Sequence, residues 1–213
     1  MIVLSGGTGT PKLIDGLIQL IDIDSEKLNI IVNTADDIII SDLYISPDID
    51  TIIYLFLNIL NKDKWWGIKN DTFNTYLQLS NFNINELLKI GDKDRAISIF
   101  RTSLLKRKYS LSDSIKIICK KLNLNKNISI FPMTNEKVTT TIKCQIKKLN
   151  FFQIQDLHYQ EYLMNPKDKK ILNITLKNIE NCKIYNDLLF ILNSEDFVII
   201  GPSNPITSIG PIL

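Results

Sequence analysis

The chain has 213 residues, 45% hydrophobic and 23% charged, which predicts an ordinary globular protein forming a single domain, 1–213. The net charge of +2 is too small to indicate nucleic-acid binding, and no apolar run is long enough to span a membrane. A single histidine, His158, excludes a histidine-based metal centre or triad, and three scattered cysteines favour reduced thiols in a cytoplasmic protein.

The predicted elements alternate between strands and helices along the chain. A short buried strand, Met1–Leu4, precedes a helix that begins at Pro11 or Lys12, and Leu28–Val32 is a second buried strand. Further helices are predicted at Asp50–Leu60 and Tyr185–Leu192. Three more are predicted with an N-cap residue: one capped by Asp71 that ends at Leu79, one capped by Asp92 that spans Lys93–Leu105, and one capped by Ser112 that ends at Leu122. Further strands are predicted at Ile128–Phe131, Val138–Gln145, Ile171–Leu176 and Phe197–Ile200, the last strongly buried, with a loop or small lobe at 150–170.

This order predicts an α/β fold: a Rossmann-like, doubly wound, mainly parallel sheet with helices on both faces and a small inserted lobe. Ligands of such sheets bind in the crevice outside the carboxyl ends of the strands. Three polar loops directly follow buried strands, beginning at Ser5, Asn33 and Gly201, so we expect them to converge on one crevice.

The loop after the first strand, Ser5–Thr10, has the composition of a phosphate-binding turn. Small residues let backbone N–H groups approach an anion, and the following helix N-terminus adds a positive field. No Gly-Lys-Ser/Thr closes it as in a Walker motif, and Lys12 stands where a dinucleotide fingerprint would have its third glycine. A tight turn without a ligand is the alternative. We favour binding of a nucleotide diphosphate by Gly6, Gly7, Thr8, Gly9 and Lys12, joined by Ser203 and Asn204 of the last loop.

Acidic residues follow the second strand and begin the next helix. Carboxylates beside a diphosphate require a cation between them, and Mg²⁺ bridges one or two carboxylates to substrate phosphates. We predict that Asp37 and Asp50 hold Mg²⁺. In this interpretation Asp36 faces solvent and Asp48 serves only as an N-cap.

Two further groups of residues have structural explanations beside the functional ones. Lys89 and Arg95 flank a turn at Gly91 and can reach an anion, although a solvated helix start explains them equally well. The Trp65–Trp66 pair can stack on a flat ring, but aromatic residues in loops more often pack on the core.

Taken together, these stretches resemble the archaeal 2-phospho-L-lactate transferases that build coenzyme F420. The matches run in the family's order over the whole chain, and only their combination is specific. They are SGGTGTPKL from Ser5, NTADD from Asn33, SPDIDT from Ser46, WWGIKNDTF from Trp65, GDKDRA from Gly91, RTSLL from Arg101, FPMTNE from Phe131, HYQEY from His158 and GPSNPITSIGPIL from Gly201.

The resemblance implies a homodimeric, Mg²⁺-dependent enzyme that acts on small molecules, without a nucleic-acid or membrane partner. It transfers a phospholactyl or phosphoenolpyruvyl group from a guanosine diphospho-linked donor to the ribityl hydroxyl of 7,8-didemethyl-8-hydroxy-5-deazariboflavin (Fo), releasing GMP. The family's Fo-contacting positions fall on Asp50 and Lys89, and its metal-associated aspartate falls on Asp37. Asp50 is also our hypothetical acceptor of the ribityl proton.

Three points stay open at this level. The family's sequences continue past SIGPIL whereas this chain ends at Leu213, so we expect the family's C-terminal part to be lacking. An NAD-type dehydrogenase would need an acidic residue where Asn33 closes the second strand. A non-catalytic, nucleotide-sugar-binding regulator of a related glycine-loop family would need neither the SPDID motif nor Lys89. The sequence does not distinguish a donor that carries lactate from one that carries enolpyruvate.

Overall fold

The computed structural model describes residues 1–148 and 151–213. Its strands are β1 (Ile2–Ser5), β2 (Leu28–Val32), β3 (Ile38–Ile40), β4 (Leu43–Ile45), β5 (Ile128–Pro132), β6 (Thr139–Lys147), β7 (Phe152–His158), β8 (Lys169–Lys177) and β9 (Val198–Ile200). Its helices are α1 (Gly9–Leu17), α2 (Pro47–Phe56), α3 (Asn74–Asn81), α4 (Asp92–Lys106), α5 (Leu111–Lys121), α6 (Tyr159–Met164) and α7 (Asn186–Ser194). A 3₁₀ turn spans Ile179–Asn181, and a π-helical turn spans Pro205–Ile209.

A parallel sheet in the order β5-β2-β1-β9 forms the centre of the molecule. Two antiparallel units accompany it: the β3–β4 hairpin, and a three-stranded lobe in the order β7-β6-β8 that carries α6. The predicted α/β class with a mainly parallel sheet is confirmed. The predicted small lobe is present as well, and its strand β7 and helix α6 lie within the segment predicted as a loop or small lobe. Asn150, where that segment was predicted to begin, lies outside the described residues.

Helices cover both faces of the sheet because side chains alternate along each strand. On one face, Val3 and Ile30 pack with Ile14 of α1, Ile52 of α2 and Ile115 of α5. The opposite face carries a smaller cluster in which α7 covers the sheet, with members Ile2, Leu4, Ile31, Phe131 and Leu188. The two layers confirm the doubly wound arrangement. No helix in the described part of the chain is long and apolar enough to cross a bilayer.

The helices α1 and α2 begin earlier than predicted. The first starts at Gly9 rather than at Pro11 or Lys12, and α2 starts at Pro47 rather than at Asp50. Proline is well tolerated in the first turn, where its missing N–H would have no helical partner in any case. The consequence is that Asp48 and Asp50 both belong to the first turn of α2.

The predicted helix caps are exchanged between two helices. Asp92 accepts hydrogen bonds from the amides of Asn74 (3.0 Å) and Thr75 (2.9 Å), so its carboxylate caps α3. Asp71 accepts from the amides of Lys93 (3.0 Å) and Asp94 (3.1 Å), so it caps α4. Each carboxylate therefore ties the two helix starts together.

Two smaller predictions are also wrong. Ser110, not Ser112, caps α5, because its hydroxyl accepts from the amide of Asp113 at 3.0 Å. The segment predicted as the strongly buried strand Phe197–Ile200 forms an exposed edge, with Phe197 62% and Ile200 59% exposed. Its apolar composition is that of a covered strand, but β1 is its only paired neighbour among the described residues.

Replacing Gly9 by alanine is expected to lower the free energy of unfolding by about 1–3 kcal/mol, the usual cost of overpacking. A Cβ atom there would lie 2.0 Å from the Pro202 carbonyl oxygen, too close without movement of one loop. Urea denaturation measures the loss. Gly16→Ala is the matched control, since a Cβ at Gly16 meets nothing within 4 Å in α1, and alanine should be neutral or stabilising there. Equal losses in both variants would contradict the packing argument.

Candidate functional site

The candidate site lies where the order of the parallel strands changes direction. From β1 the chain continues to β2 and β5 on one side, whereas β9 pairs with the other side of β1. The glycine loop leaves β1 and the Gly201–Pro205 loop leaves β9, so both loops emerge at the same point of the sheet edge. Ligands of doubly wound sheets bind at such switch points.

Packing between these two loops explains much of their composition. The Ser203 hydroxyl accepts from the Thr10 amide at 3.0 Å and lies 2.8 Å from the Thr10 hydroxyl. A Cβ at Gly6 would lie 2.7 Å from the Ser208 carbonyl oxygen, and Gly7 has a φ of +55°. The glycines are therefore required by close backbone approach and by a left-handed turn, whether or not a ligand is bound.

The closing loop is held by its own side chain. Asn204 accepts hydrogen bonds through Oδ1 from the amides of Ile206 (2.9 Å) and Thr207 (3.1 Å), and it begins the π-helical turn. This turn places Ser208 against the glycine loop. The predicted partners Ser203 and Asn204 thus lie beside the glycine loop and line the same cleft.

A cleft of about 580 Å³ opens between these loops and the inserted lobe. The glycine loop from Gly7 to Gly9 and the closing loop from Pro202 to Asn204 form its polar sides, and Asp36 and Asp48 contribute the acidic groups. The remaining wall is largely apolar and comes from Trp66, Leu88, Tyr159, Leu163 and Met164.

Asp36 and Asp48 share one hydrogen-bond donor in the cleft. The side-chain amide of Asn33 lies 3.2 Å from Asp36 Oδ2 and 3.1 Å from Asp48 Oδ2. Asp36 Oδ1 is buried, and no donor among the described residues reaches it in ordinary hydrogen-bond geometry, although the Thr140 hydroxyl is close enough to lower the pKa of Asp36. Burial, followed by the charge of Asp48, raises the pKa of Asp36 well above its usual range. Burial also raises the pKa of Asp48, and the Gly7 amide and Asn33 oppose that shift.

These properties fit a divalent cation. Two neighbouring carboxylates in a cleft, one with an unsatisfied buried oxygen, leave negative charge without compensation. A group of three or more His, Cys, Asp or Glu ligands is not found among residues 1–148 and 151–213. Mg²⁺ commonly takes only one or two carboxylates and completes its shell with water and substrate phosphates, so the pair is sufficient.

The two aspartates predicted as metal ligands lie behind the cleft. Asp37 is buried, and its Oδ1 accepts from the Ser46 hydroxyl at 2.7 Å. Asp50 forms a buried bidentate ion pair with Arg101, with Arg101 Nη1 3.0 Å from Asp50 Oδ2. Because residues two apart on a helix point roughly 200° away from each other, Asp48 faces the cleft and Asp50 faces the interior.

The expectations for the other two aspartates are wrong. Asp36 is only 3% exposed and does not face solvent. Asp48 is more than an N-cap, because its carboxylate binds Asn33 and lines the cleft, while Ser46 occupies the N-cap position of α2. The structure therefore brings Asp36 and Asp48 to the glycine loop and leaves Asp37 and Asp50 in the layer beneath.

Arg101 is the centre of that buried layer. Its side chain is 0% exposed, and besides Asp50 it donates to the Tyr44 carbonyl oxygen at 3.3 Å. Although burial alone would lower the pKa of Arg101, Asp50 raises it above its ordinary value. Asp94 accepts from the Tyr54 hydroxyl at 2.7 Å, and burial and the charge of Asp50 raise its pKa to about 7.

The predicted basic site residues point elsewhere. The Lys12 ammonium lies 5.5 Å from the centroid of the Trp65 ring, and the Lys89 ammonium lies 4.4 Å from that of Phe73. Arg95 pairs with Glu86, with Nη1 3.0 Å from the carboxylate. None of these three cations lines the cleft, although Leu88, next to Lys89, does.

One side of the cleft had no predicted role. Helix α6 contributes Tyr159, Gln160, Leu163 and Met164, and it begins at a capping box in which the His158 ring accepts from the Gln160 amide at 3.1 Å. The HYQEY stretch was a visible signal without an assigned function. The two tryptophans divide their roles, since Trp65 packs on the core and Trp66 lines the cleft.

Fold and cleft together define a Rossmann-like α/β protein with a glycine-rich loop and paired carboxylates at its switch point. The family model described as 2-phospho-L-lactate transferase CofD matches residues 1–213, and the chain belongs to this family.

Relatives named 2-phospho-L-lactate transferase are 42% identical in Methanococcus maripaludis, 41% in Methanocaldococcus jannaschii and 39% in Methanosarcina acetivorans. The matches cover 99%, 99% and 100% of this chain, which spans 66% of the length of each relative. A crystal structure of a UPF0052 family member from Bacillus halodurans has a TM-score of 0.61 at 16% identity. That match covers 100% of this chain and 62% of the other, and it shows a shared fold.

Proposed function

We propose that this protein transfers a 2-phospho-L-lactyl or phosphoenolpyruvyl group from a guanosine diphospho-linked donor to the ribityl hydroxyl of Fo, releasing GMP, in coenzyme F420 biosynthesis. The family match and the names of the relatives support the reaction class. The observation that carries the proposal is the convergence of the glycine loop, the closing loop and two carboxylates on one cleft. A cytoplasmic homodimer, implied by the resemblance, is part of the proposal.

In this proposal the donor lies along the polar sides of the cleft. Its diphosphate faces the amides of Gly7–Gly9 and the N-terminus of α1, which supply a positive field. Asp36 and Asp48 would hold Mg²⁺, and the ion would supply neutralisation of the charge on the phosphoryl group. Asp37 is not a metal ligand in this arrangement. Its carboxyl group accepts a hydrogen bond from Ser46 behind the cleft, where burial raises its pKa well above the usual range.

The acceptor approaches from the apolar wall. Trp66, Leu88, Leu163 and Met164 offer a surface for a flat ring, and the ribityl chain then extends toward the diphosphate. The ribityl oxygen forms a new bond to the phosphorus that carries lactate, the bond from that phosphorus to the GMP oxygen breaks, and GMP leaves. Positioning and electrostatic stabilisation supply most of the catalysis in such transfers. As proton acceptor, Asp50 would have to exchange its bond to Arg101 for one to the acceptor.

Mass detection tests the proposal directly. The chain is incubated with the donor, Fo and Mg²⁺, and we expect a phospholactylated deazaflavin and GMP in equal amounts. Binding of GDP with Mg²⁺, measured by calorimetry, reports separately on the nucleotide side of the cleft. If the chain binds neither GDP nor Fo while the Methanocaldococcus jannaschii relative does so under the same conditions, the proposal fails. Binding of a nucleotide sugar alone would support a regulatory protein instead.

Saturating Mg²⁺ is expected to stabilise the protein against heat through Asp36 and Asp48. Burial raises both folded-state pKa values, so ionising the pair destabilises the fold. This cost is complete above the folded pKa values, declines as the pH falls below them, and is gone below the unfolded value of about 3.9. We therefore expect Mg²⁺ to increase Tm at a pH above the folded pKa values, by roughly 2–4 °C per kcal/mol of binding energy, and to increase it less below them, where protons compete with the metal.

Asparagine variants identify the ligand. Asp36→Asn should abolish the Mg²⁺-dependent shift in Tm, and Asp37→Asn should retain it. Differential scanning fluorimetry with and without the metal measures both. The reverse result would restore Asp37 as the ligand and contradict the assignment made from the cleft.

A further inference from the structure

The only histidine of the chain lies between the inserted lobe and the acidic loop that follows β2. His158 ends β7 and is the N-cap residue of α6, where its ring Nδ1 accepts a hydrogen bond from the Gln160 amide at 3.1 Å. The other ring nitrogen, Nε2, lies 3.2 Å from the Asp37 carbonyl oxygen. One side chain therefore connects two separate parts of the fold, and we call these two contacts the His158 bridge.

The partners of the ring determine where its proton lies. A carbonyl oxygen can only accept a hydrogen bond, so Nε2 carries the hydrogen, and a backbone amide can only donate, so Nδ1 is unprotonated. The His158 bridge therefore requires the neutral ring with its proton on Nε2. Burial lowers the pKa of His158, which favours the neutral ring, and Lys137 acts in the same direction, whereas the Asp37 carbonyl and the charge of Glu161 oppose that shift.

The pairing of β6 with β7 places the histidine beside the acidic loop. His158 is opposite Thr141 in the antiparallel register, and the amide of the neighbouring Thr140 donates to the Ala35 carbonyl oxygen at 2.7 Å. Ala35 and Asp37 are two residues apart, so the backbone of the loop is bound once by β6 and once by the histidine ring. The second contact fixes the start of α6, because the ring also caps that helix.

Helix α6 forms part of the apolar wall of the cleft. It has six residues, of which Tyr159, Gln160, Leu163 and Met164 line the cleft. Leu163 is 42% exposed and Met164 is 50% exposed, so burial in the core does not fix either side chain. A helix of this length is not stable by itself, and its position depends on its cap and on its tertiary contacts.

We propose that His158 is a positioning residue for the acceptor. The His158 bridge holds α6 against the acidic loop and thereby sets the distance between the apolar wall and the glycine loop. The identity of the acceptor, a flat deazaflavin ring, rests on the proposed function, whereas the bridge rests on geometry alone. His158 is not among the described residues that line the cleft, so it acts through α6 and supplies no group to the reaction.

Nitrogen NMR of the single histidine tests the bridge without any ligand. In the untagged, ¹⁵N-labelled chain at about pH 7.5 we expect the ring signals of a neutral imidazole with its proton on Nε2, and no other histidine overlaps them. A ring with its proton on Nδ1, or a ring that exchanges between both forms as in free histidine, would overturn the proposal. This result is independent of whether the protein binds Fo.

Two conservative variants separate the two halves of the bridge. His158→Asn keeps a cap for α6, since asparagine is a preferred N-cap residue, but its shorter side chain does not reach the Asp37 carbonyl. His158→Gln supplies an amide donor with the reach of Nε2 but places no acceptor at the position of Nδ1. Because α6 contributes to binding rather than to the reacting groups, we expect both variants to raise KM for Fo about tenfold and to change kcat by less than about twofold. Amide exchange at residues 160–164 should be faster in His158→Gln than in His158→Asn, which keeps the cap.

Glu161→Gln is the matched control. Glutamine at this position still accepts from the His158 amide, so KM and the exchange of α6 should stay within about twofold of the unmodified protein. Equal effects in the control and the histidine variants, or a loss of kcat with unchanged KM in the histidine variants, would mean that His158 is only structural and would overturn the proposal. If the unmodified protein itself binds no Fo, the proposed function fails together with the acceptor role of His158, while NMR and exchange still decide whether the bridge exists.

Discussion

Asp48→Asn is expected to lower the rate of GMP release by about 10²–10³-fold, the typical loss when one preorganised electrostatic contact to a reacting group is removed. The substitution keeps the size of the side chain and its hydrogen bond to Asn33 remains possible, but it removes the charge beside the Gly7 turn. Binding of GDP should lose its dependence on Mg²⁺ in the same variant. Steady-state kinetics with varied Mg²⁺ and calorimetry with GDP measure the two effects.

Asp42→Asn is the control for this prediction. Asp42 is exposed in the turn between β3 and β4, where its φ of 60° suits asparagine equally well. The control should keep the rate and the metal dependence of the unmodified protein. An Asp48→Asn variant with near-normal turnover would remove this residue from the proposed metal site.

Arg101→Met is expected to lower the free energy of unfolding by about 3–5 kcal/mol, because it leaves the carboxylate of Asp50 buried without a partner. Arg101→Lys should have a smaller effect, since lysine keeps the charge but not the two-pronged geometry. Combining Asp50→Asn with Arg101→Met should recover much of the loss, because neither charge then remains. Urea denaturation of the four proteins measures this.

The same variants decide how Asp50 acts. If the carboxylate accepts the ribityl proton, the double variant recovers stability but not turnover. If Asp50 serves only to anchor α2 through Arg101, turnover recovers together with stability. Arg95→Met is the control, since Arg95 forms a comparable pair with Glu86 away from the acidic layer, and this variant should leave the Mg²⁺ dependence unchanged.

The parallel sheet was predictable because its strands are short, continuous runs of apolar residues that can be recognised in the sequence. The apolar run of β2 was predicted with its observed ends, since a strand covered on both faces needs no polar alternation. The convergence of the loops followed from topology alone, because carboxyl ends of parallel strands meet at one edge. Those two facts placed the glycine loop next to Ser203 before any contact was known.

Sequence spacing alone could not show which of Asp36, Asp37, Asp48 and Asp50 line the cleft, because the start of helix α2 was not predicted correctly. Had the helix been placed at Pro47, the two-residue separation of Asp48 and Asp50 would have assigned them to opposite faces. Which face meets the cleft still depends on Arg101, which lies 51 residues away and attracts Asp50 inward. Tertiary contacts of this kind leave no local trace in the sequence.

The helix caps show the same limit. Asp71 and Asp92 each stand in front of a helix, and local rules assign each carboxylate to its own helix. In the structure each carboxylate caps the other helix, which requires the starts of α3 and α4 to lie side by side. Asp71 and the Lys93 amide that it binds are 22 residues apart in the sequence. The apolar wall supplied by α6 was missed for a related reason, because the lobe reaches the cleft only after β6 and β7 have paired.

The hydroxyl contact between Thr10 and Ser203 spans 193 residues of sequence, so the cleft is incomplete until the segment after β9 has joined the glycine loop. During synthesis the β1–α1 turn emerges first, and its partner Ser203 is translated only after β2–β9. Contacts between such distant positions form slowly because the loop must close first. A nucleotide supplied during refolding should therefore stabilise the state in which the glycine loop and the loop after β9 are in contact. A protease that removes the loop after β9 should eliminate ligand binding while leaving the interior of the sheet intact.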